Sequence, residues 1–159
     1  MSNIGAGQKV PAGDMRILLG VLFAQAALAP APQFQGHWTA DVAASRFNGS
    51  VVVTAASLDF AITPETVSLT DQVTDGSGRE IGTGTTVLRT DGKPYPHDQL
   101  LPGLTVVCQW KSALLLYTVL TRRNGIVDHV TYEVSENGRT LTLRTEGPQG
   151  AQTILYRRD

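Results

Sequence analysis

The sequence predicts an all-β protein: an eight- to nine-stranded antiparallel up-and-down barrel that follows an N-terminal signal segment. Three observations support this prediction. Apolar and polar residues alternate at a period of two in short segments. Glycine-containing turns separate these segments at short intervals. A Gly-x-Trp sequence, Gly36-His37-Trp38, opens the first segment, and its indole is expected to plug one end of a small barrel.

The composition indicates one globular domain and excludes several classes of partner. Of the 159 residues, 42% are hydrophobic, which is enough to form a core without disulfide bonds. The net charge of −1 argues against nucleic acid or an anionic membrane surface as the main partner. Cys108 is the only cysteine, so the chain forms no intrachain disulfide and no thiolate metal cluster. We expect this thiol to behave as a small buried hydrophobe.

The first residues have the features of a secretory signal. Arg16 precedes the apolar run 17–24, and small-x-small cleavage sites follow at residues 24–26 and 27–29. The apolar run is shorter than the roughly 20 residues of a membrane span. We therefore predict a signal peptide over residues 1–29, with Met15 as an alternative start, and an exported periplasmic or secreted domain over residues 30–159. The alternative for this segment is an amphipathic helix packed on the domain.

Strand patterns fill the first half of the predicted domain. The first strand spans residues 37–43. Residues 51–54 and 58–62 form either one bent strand or two. In the next segment Val67, Leu69 and Val73 alternate with polar residues, and the threonine-rich segment 79–90 follows it.

The second half continues in the same way. Residues 104–111 place alternate apolar side chains on one face, whereas residues 114–121 are apolar on both faces. Residues 126–134 alternate again, and two short apolar segments, 141–143 and 154–156, end the series.

The turns between these segments predict how the strands pair. Asn-Gly and Asp-Gly sequences supply the positive φ angles of tight hairpins, and they recur at residues 75–78, 91–92, 124–125 and 137–138. Consecutive strands are therefore expected to pair with each other, and closure into a barrel removes the exposed edges. A two-sheet sandwich is the alternative architecture.

One connection differs from the short turns. Residues 91–103 contain Pro94, Pro96 and Pro102. Long connections often line a binding mouth, which is one interpretation of this segment. The other is a stiff cap in which Leu100 and Leu101 cover the end of the barrel.

Three segments together resemble lipocalin-like (calycin-type) exported bacterial domains, many of them of uncharacterised function. They are Phe34-Gln35-Gly36-His37-Trp38 with Asp41 and Ser45-Arg46-Phe47, then Asp91-Gly92-Lys93-Pro94-Tyr95-Pro96, and the hairpin over residues 130–142. The resemblance implies that a basic side chain from the final strand stacks on Trp38. Arg157 and Arg158 are the two candidates.

The leading functional prediction is a noncatalytic barrel that binds a small apolar or amphipathic molecule, because eight strands enclose room for one such ligand. Asp71 and Asp128 interrupt otherwise apolar faces. Each is therefore either an inward carboxylate that is paired, hydrated or in contact with a ligand, or a residue whose side chain turns to solvent at a strand end or bulge. Trp110 and Tyr132 lie on apolar faces as core or ligand contacts. The predicted ligand-binding residues are Phe60, Leu69, Asp71, Trp110, Asp128 and Tyr132.

The sequence contains no recognisable catalytic or metal-binding motif. His37, His97 and His129 lack metal-ligand spacing, and no Gly-x-Ser-x-Gly sequence occurs. We therefore predict no catalytic residues, no metal and no cofactor. Two alternative functions remain. The first is a cell-envelope interaction or inhibitor module that has a filled barrel and acts through its loops, including residues 91–103, and the Arg122-Arg123 turn. The second is a small enzyme that uses Asp128 or His129 as acid or base.

Overall fold

A computed structural model describes residues 32–148 and 150–158 of the chain. The predicted signal peptide, with its alternative start, lies outside the described residues. The described residues form two short 3₁₀ turns, Pro32–Phe34 and Val42–Ala44, and ten β-strands. The strands are β1 (Gly36–Ala40), β2 (Val53–Ile62), β3 (Thr66–Asp75), β4 (Glu80–Arg89), β5 (Asp91–Pro96), β6 (Thr105–Ser112), β7 (Leu115–Thr121), β8 (Val127–Val134), β9 (Thr140–Gly147) and β10 (Gly150–Arg157).

All ten strands belong to one antiparallel sheet in the order β4-β3-β2-β1-β10-β9-β8-β7-β6-β5. Every strand pairs with its neighbours in the chain except at β4 and β5, and β1 also pairs with β10. The sheet curls so that β4 contacts both β5 and β6 without a hydrogen-bonded ladder to β5. The predicted up-and-down architecture is confirmed as a nearly closed barrel with one gap.

The number of strands exceeds the expected eight or nine, mainly because the segment expected as one long connection begins with a strand. Residues Asp91–Pro96 form β5 and pair with β6 across a bulge. Proline is tolerated there because β5 pairs on one side only, so a missing N–H breaks no second ladder. The segments at 51–54 and 58–62 contribute to a single strand, β2, which carries a bulge between Val53 and Ala55.

Alternate residues of each strand face the interior and build one continuous core. Its fully buried strand residues include Trp38, Phe60, Val67, Cys108, Leu116, Val134 and Leu141. Cys108 is 1% exposed, as expected for a small buried hydrophobe, and burial raises the pKa of its thiol to about 11.

Trp38 closes one end of the barrel. Its ring is completely buried, and its Nε1 donates a hydrogen bond to the Phe34 carbonyl oxygen at 2.9 Å. The guanidinium carbon of Arg158 lies 4.3 Å from the centroid of the ring. Arg158 Nη2 also donates to the carbonyl oxygens of Gln33 and Gln35, at 2.6 and 2.9 Å. The predicted plug is confirmed, and Arg158 is the residue that stacks on it.

Arg157 has a different environment from its neighbour because successive strand residues point to opposite faces. Its guanidinium donates through two nitrogens to Asp41 Oδ2, at 3.1 and 2.8 Å. The other carboxylate oxygen of Asp41 accepts a hydrogen bond from the backbone N–H of Ala44. These bonds hold the pKa of the Asp41 carboxyl below its usual value, with the arginine as the larger cause.

The connection between β5 and β6 lies at the opposite end of the barrel from Trp38. Thr105, where β6 begins, pairs with Thr121, where β7 ends, so this connection and the β7–β8 turn share one end. Leu100 and Leu101 are 51% and 42% exposed. The interpretation in which these two leucines cover the barrel end is therefore wrong.

Candidate functional site

A cavity of about 410 Å³ lies at the open end, against the inner faces of β7, β8, β9 and β10. This volume falls within the range of roughly 300–1,000 Å³ that is usual for small-molecule sites. Six side chains form most of its strand walls: Leu120, Asp128, Val130, Tyr132, Leu143 and Thr145.

The strand register explains why these side chains meet. Leu120 pairs with Asp128 across the β7–β8 hairpin, and Tyr132 pairs with Leu143 across the β8–β9 hairpin. Because paired residues of antiparallel strands point to the same face, each apolar residue is placed beside a polar one. The cavity wall combines aliphatic side chains with a larger number of polar ones, because it also includes Asn48, Arg122 and Gln152.

Asp128 is a buried carboxylate with one ionic partner. The residue is 7% exposed, and Arg122 Nη2 donates a hydrogen bond to its Oδ2 at 3.1 Å. Such a charge is stable in a buried position only when it is paired or hydrogen-bonded. Gly147 supplies the space, because a Cβ at that position would overlap Asp128 Oδ1. The alternative in which Asp128 is turned to solvent is excluded.

Tyr132 connects the cavity to an aromatic cluster at the closed end. Its ring meets the Phe60 ring edge-on at a centroid distance of 5.6 Å. Phe34 contacts both Phe60 and Trp110, at 5.4 and 5.0 Å between centroids. Burial is the main cause that raises the pKa of the Tyr132 phenol far above its usual value. Phe60 and Trp110 thus lie below the cavity, in the aromatic cluster.

Leu69 and Asp71 lie on the other side of the interior, on β3. Leu69 is 6% exposed and belongs to the core. Asp71 is half-buried, and a Cβ built on Gly82 or Gly84 of β4 would come within 3.8 or 3.9 Å of its carboxylate oxygens. Of the predicted site residues, the structure therefore brings Asp128 and Tyr132 to the cavity and places the other four around it. Their role in ligand binding stays a prediction.

Sequence reasoning missed two polar groups of the interior. From the sequence, Arg122 is considered only as part of a turn for partner binding, although the Asn124-Gly125 hairpin places it two residues beyond the Leu120–Asp128 pair, on the same side. Tyr156 lies on the inner face of β10 and is 4% exposed. Its alternation with Ile154 was the signal that could have identified it. Burial and then the charge of Asp71 raise the pKa of the Tyr156 phenol to about 12.

In the part of the chain that the structure describes, no group of three or more His, Cys, Asp or Glu side chains is arranged to hold a metal ion. Neither described helical turn is long or apolar enough to span a bilayer.

The fold has close counterparts among solved structures. The fluorescent protein UnaG superposes with a TM-score of 0.61 at 11% identity, covering 81% of this chain and 99% of that protein. A fatty-acid-binding protein of Schistosoma mansoni in complex with arachidonic acid superposes with a TM-score of 0.59 at 11% identity, covering 81% and 98%. Fatty-acid-binding protein 1 of Echinococcus granulosus superposes with a TM-score of 0.56 at 9% identity, covering 79% of this chain and 97% of that protein.

This chain has the barrel fold of fatty-acid-binding proteins. At 9 to 11% identity the likeness concerns the fold alone. No protein-family model matches the sequence, and no curated protein matches it.

Proposed function

We propose that this protein is a noncatalytic barrel that holds one small apolar or amphipathic molecule. The observation that carries the proposal is the cavity of about 410 Å³ at the open end of a nearly closed barrel. Its wall combines the aliphatic side chains Leu120, Val130 and Leu143 with several polar ones, which provides contacts for both parts of an amphipathic molecule. The fold it shares with a protein solved in complex with arachidonic acid supports the same class of ligand.

We further propose that the protein acts outside the cytoplasm, in the periplasm or as a secreted protein. The proposal rests on the basic, apolar and small-residue order over residues 16–29. It is tested by expressing the full chain in a Gram-negative host and sequencing the N-terminus of the protein released by osmotic shock. A mature N-terminus near residue 30 supports export, whereas an intact chain confined to the cytosol contradicts it.

Native mass spectrometry of protein purified from its own source tests ligand binding directly. We expect an added mass of one small molecule, which organic extraction removes. A variant that fills the cavity, Val130→Phe, should be recovered without this added mass. Thr131→Phe is the matched control, because Thr131 is the next residue of β8 and points to the opposite face. Recovery of both variants and the native protein without ligand contradicts the proposal.

A second candidate function is an interaction module of the cell envelope. The specific observation is the exposure of Leu100 and Leu101 in the β5–β6 connection at the open end. Affinity capture from an envelope extract should then recover one protein partner, and Leu100→Ser with Leu101→Ser should abolish its recovery. Capture that is unchanged by the double variant, or that recovers no protein, contradicts this candidate.

A further inference from the structure

The charged side chains at inward positions of the strands are carboxylates, and Arg122, from the β7–β8 turn, is the cation that lines the cavity among the described residues. Asp71 on β3 and Asp128 on β8 are the two inward carboxylates between the strand ends. No lysine or arginine lies at an inward-facing position within the described residues of β1 to β4 or β6 to β10, apart from the strand ends. Lys93 on the edge strand β5 has a side chain that is 75% exposed. The interior therefore has an excess of negative charge.

The two carboxylates differ in how they are compensated. Asp128 receives the guanidinium of Arg122 at 3.1 Å. Asp71 has no hydrogen-bond or ion-pair partner within residues 32–148 and 150–158. A half-buried carboxylate without a partner is costly unless water or a ligand solvates it. Asp71 is therefore the inward charge that remains available to a bound molecule.

Space is left beside the Asp71 carboxylate on the neighbouring strand. The register places Gly84 opposite Asp71, and Gly82 follows on the same face of β4. Cβ atoms built on these glycines would lie 3.9 and 3.8 Å from the carboxylate oxygens, so any larger side chain would extend over them. Two glycines at successive inward positions thus leave the carboxylate open to the interior.

Two phenols lie on inner faces of the barrel close to this carboxylate. The Tyr132 ring meets the Phe60 ring at a centroid distance of 5.6 Å, and Phe60 pairs with Leu69. Asp71 is the next residue on the same face of β3. Tyr132 lines the cavity, and Tyr156 lies on the inner face of β10. Neither hydroxyl has a hydrogen-bond partner among the described residues. Burial is the largest cause that raises the pKa of both phenols, and the charge of Asp71 adds a smaller contribution to each; both are protonated at neutral pH. A protonated phenol can accept one hydrogen bond and donate another.

We propose that Asp71, with Tyr132 and Tyr156, binds the polar end of the ligand, and that this end is a cationic hydrogen-bond donor such as an alkylammonium group. This inference rests on the proposed function and names its ligand class. An ammonium group donates to a carboxylate through a charge-assisted bond. A fatty-acid carboxylate at the same place would meet a like charge with no inward cation to compensate it, because Arg122 is already paired with Asp128.

The experiment compares three ligands that share a twelve-carbon chain: dodecylamine, 1-dodecanol and dodecanoic acid. Their affinities for the delipidated protein are measured by isothermal titration calorimetry at pH 7, below the concentration at which any of them aggregates. A hydrogen bond to a charged group contributes about 1.5–3 kcal/mol, so dodecylamine should bind roughly 10- to 100-fold more tightly than 1-dodecanol. Dodecanoic acid should bind most weakly of the three.

The variant Asp71→Asn removes the charge and preserves the shape of the side chain. It should lower the affinity for dodecylamine by the same roughly 10- to 100-fold and leave the affinity for 1-dodecanol unchanged. Asp59→Asn is the matched control, because Asp59 lies on the adjacent strand, faces outward and pairs with His37. It should leave all three affinities unchanged.

The possible failures can be told apart. If the three ligands bind equally well and Asp71→Asn changes none of the affinities, the proposed headgroup is wrong while the apolar binding function stands. Tightest binding of dodecanoic acid also overturns the inference. If none of the three ligands binds, the proposed function itself fails and the inference fails with it.

Discussion

Replacement of Arg158 by alanine tests how the barrel end is closed. The variant removes a guanidinium that stacks 4.3 Å from the Trp38 centroid and donates to two backbone carbonyl oxygens, those of Gln33 and Gln35. The backbone N–H of residue 158 keeps its own bond to the Arg139 carbonyl oxygen. The substitution therefore removes side-chain interactions and leaves the local backbone pairing in place.

The expected loss follows from these three interactions. Each hydrogen bond contributes about 1 kcal/mol net at a partly exposed site. The cation–π contact, against a fully buried ring, contributes about 1 kcal/mol more. Arg158→Ala should thus lower the free energy of unfolding by about 3 kcal/mol. The free energy of unfolding of Arg158→Lys should lie between those of the native protein and Arg158→Ala, because an ammonium group lacks the planar fork that contacts both carbonyls and the ring.

Urea denaturation monitored by far-UV circular dichroism measures this loss. With an m-value of about 2 kcal/mol/M, the midpoint should move down by about 1.5 M. Arg157→Ala is the control within the same strand, since that side chain is 62% exposed and its ion pair should contribute roughly a third as much or less. If Arg158→Ala lowers the midpoint no more than the small shift expected of an exposed ion pair, the stacking and carbonyl bonds do not stabilise the barrel end and the reasoning is refuted.

Three further predictions follow from individual side chains. Gly147→Ala should force the Asp128 carboxylate away from Arg122 and lower the free energy of unfolding, measured by urea denaturation, by about 1–3 kcal/mol. Gly84→Ala, whose Cβ makes only ordinary contacts, should lower it far less, and equal losses in the two variants would contradict this prediction. Cys108, with a pKa of about 11, is a thiolate in only about one molecule per thousand at pH 8, so Ellman's reagent should label it in urea and not in the native protein. Because folding lowers the pKa of Asp41, its carboxylate stabilises the protein above pH 3.8 and loses this effect as the pH falls below that value. The difference in melting temperature between the native protein and Asp41→Asn should therefore be largest near neutrality and shrink in acid. A pH-independent difference would disprove the assignment.

The sequence predicted the architecture because the features that specify it are local. The Asn-Gly turns at 124–125 and 137–138 have glycines with φ of +79° and +68°, as tight hairpins require. Alternation then assigns each strand residue to a face. Both signals lie within a dozen residues of the contacts they specify, and the pairing of consecutive strands follows directly.

Strand β5 shows where local signals fail. Pro94 and Pro96 indicate a loop under the usual rules, since proline removes a donor from the ladder. The segment is a strand because it lies at the edge next to the gap with β4, where only one side must pair. That position depends on how far the sheet curls before it closes, which is a property of all ten described strands together.

The two inward carboxylates show the same limit within the candidate site. Alternation places Asp71 and Asp128 on apolar faces equally well, and the segments around them do not distinguish their roles. The difference comes from the adjacent strand and turn: Asp128 has Arg122 two residues beyond its hairpin partner, whereas Asp71 has Gly84 opposite it. Each of these neighbours can be identified once the hairpin register is known. A search for ligand-facing charges in small barrels should therefore begin from the residues paired with each inward carboxylate, because the partner decides whether that charge is already neutralised.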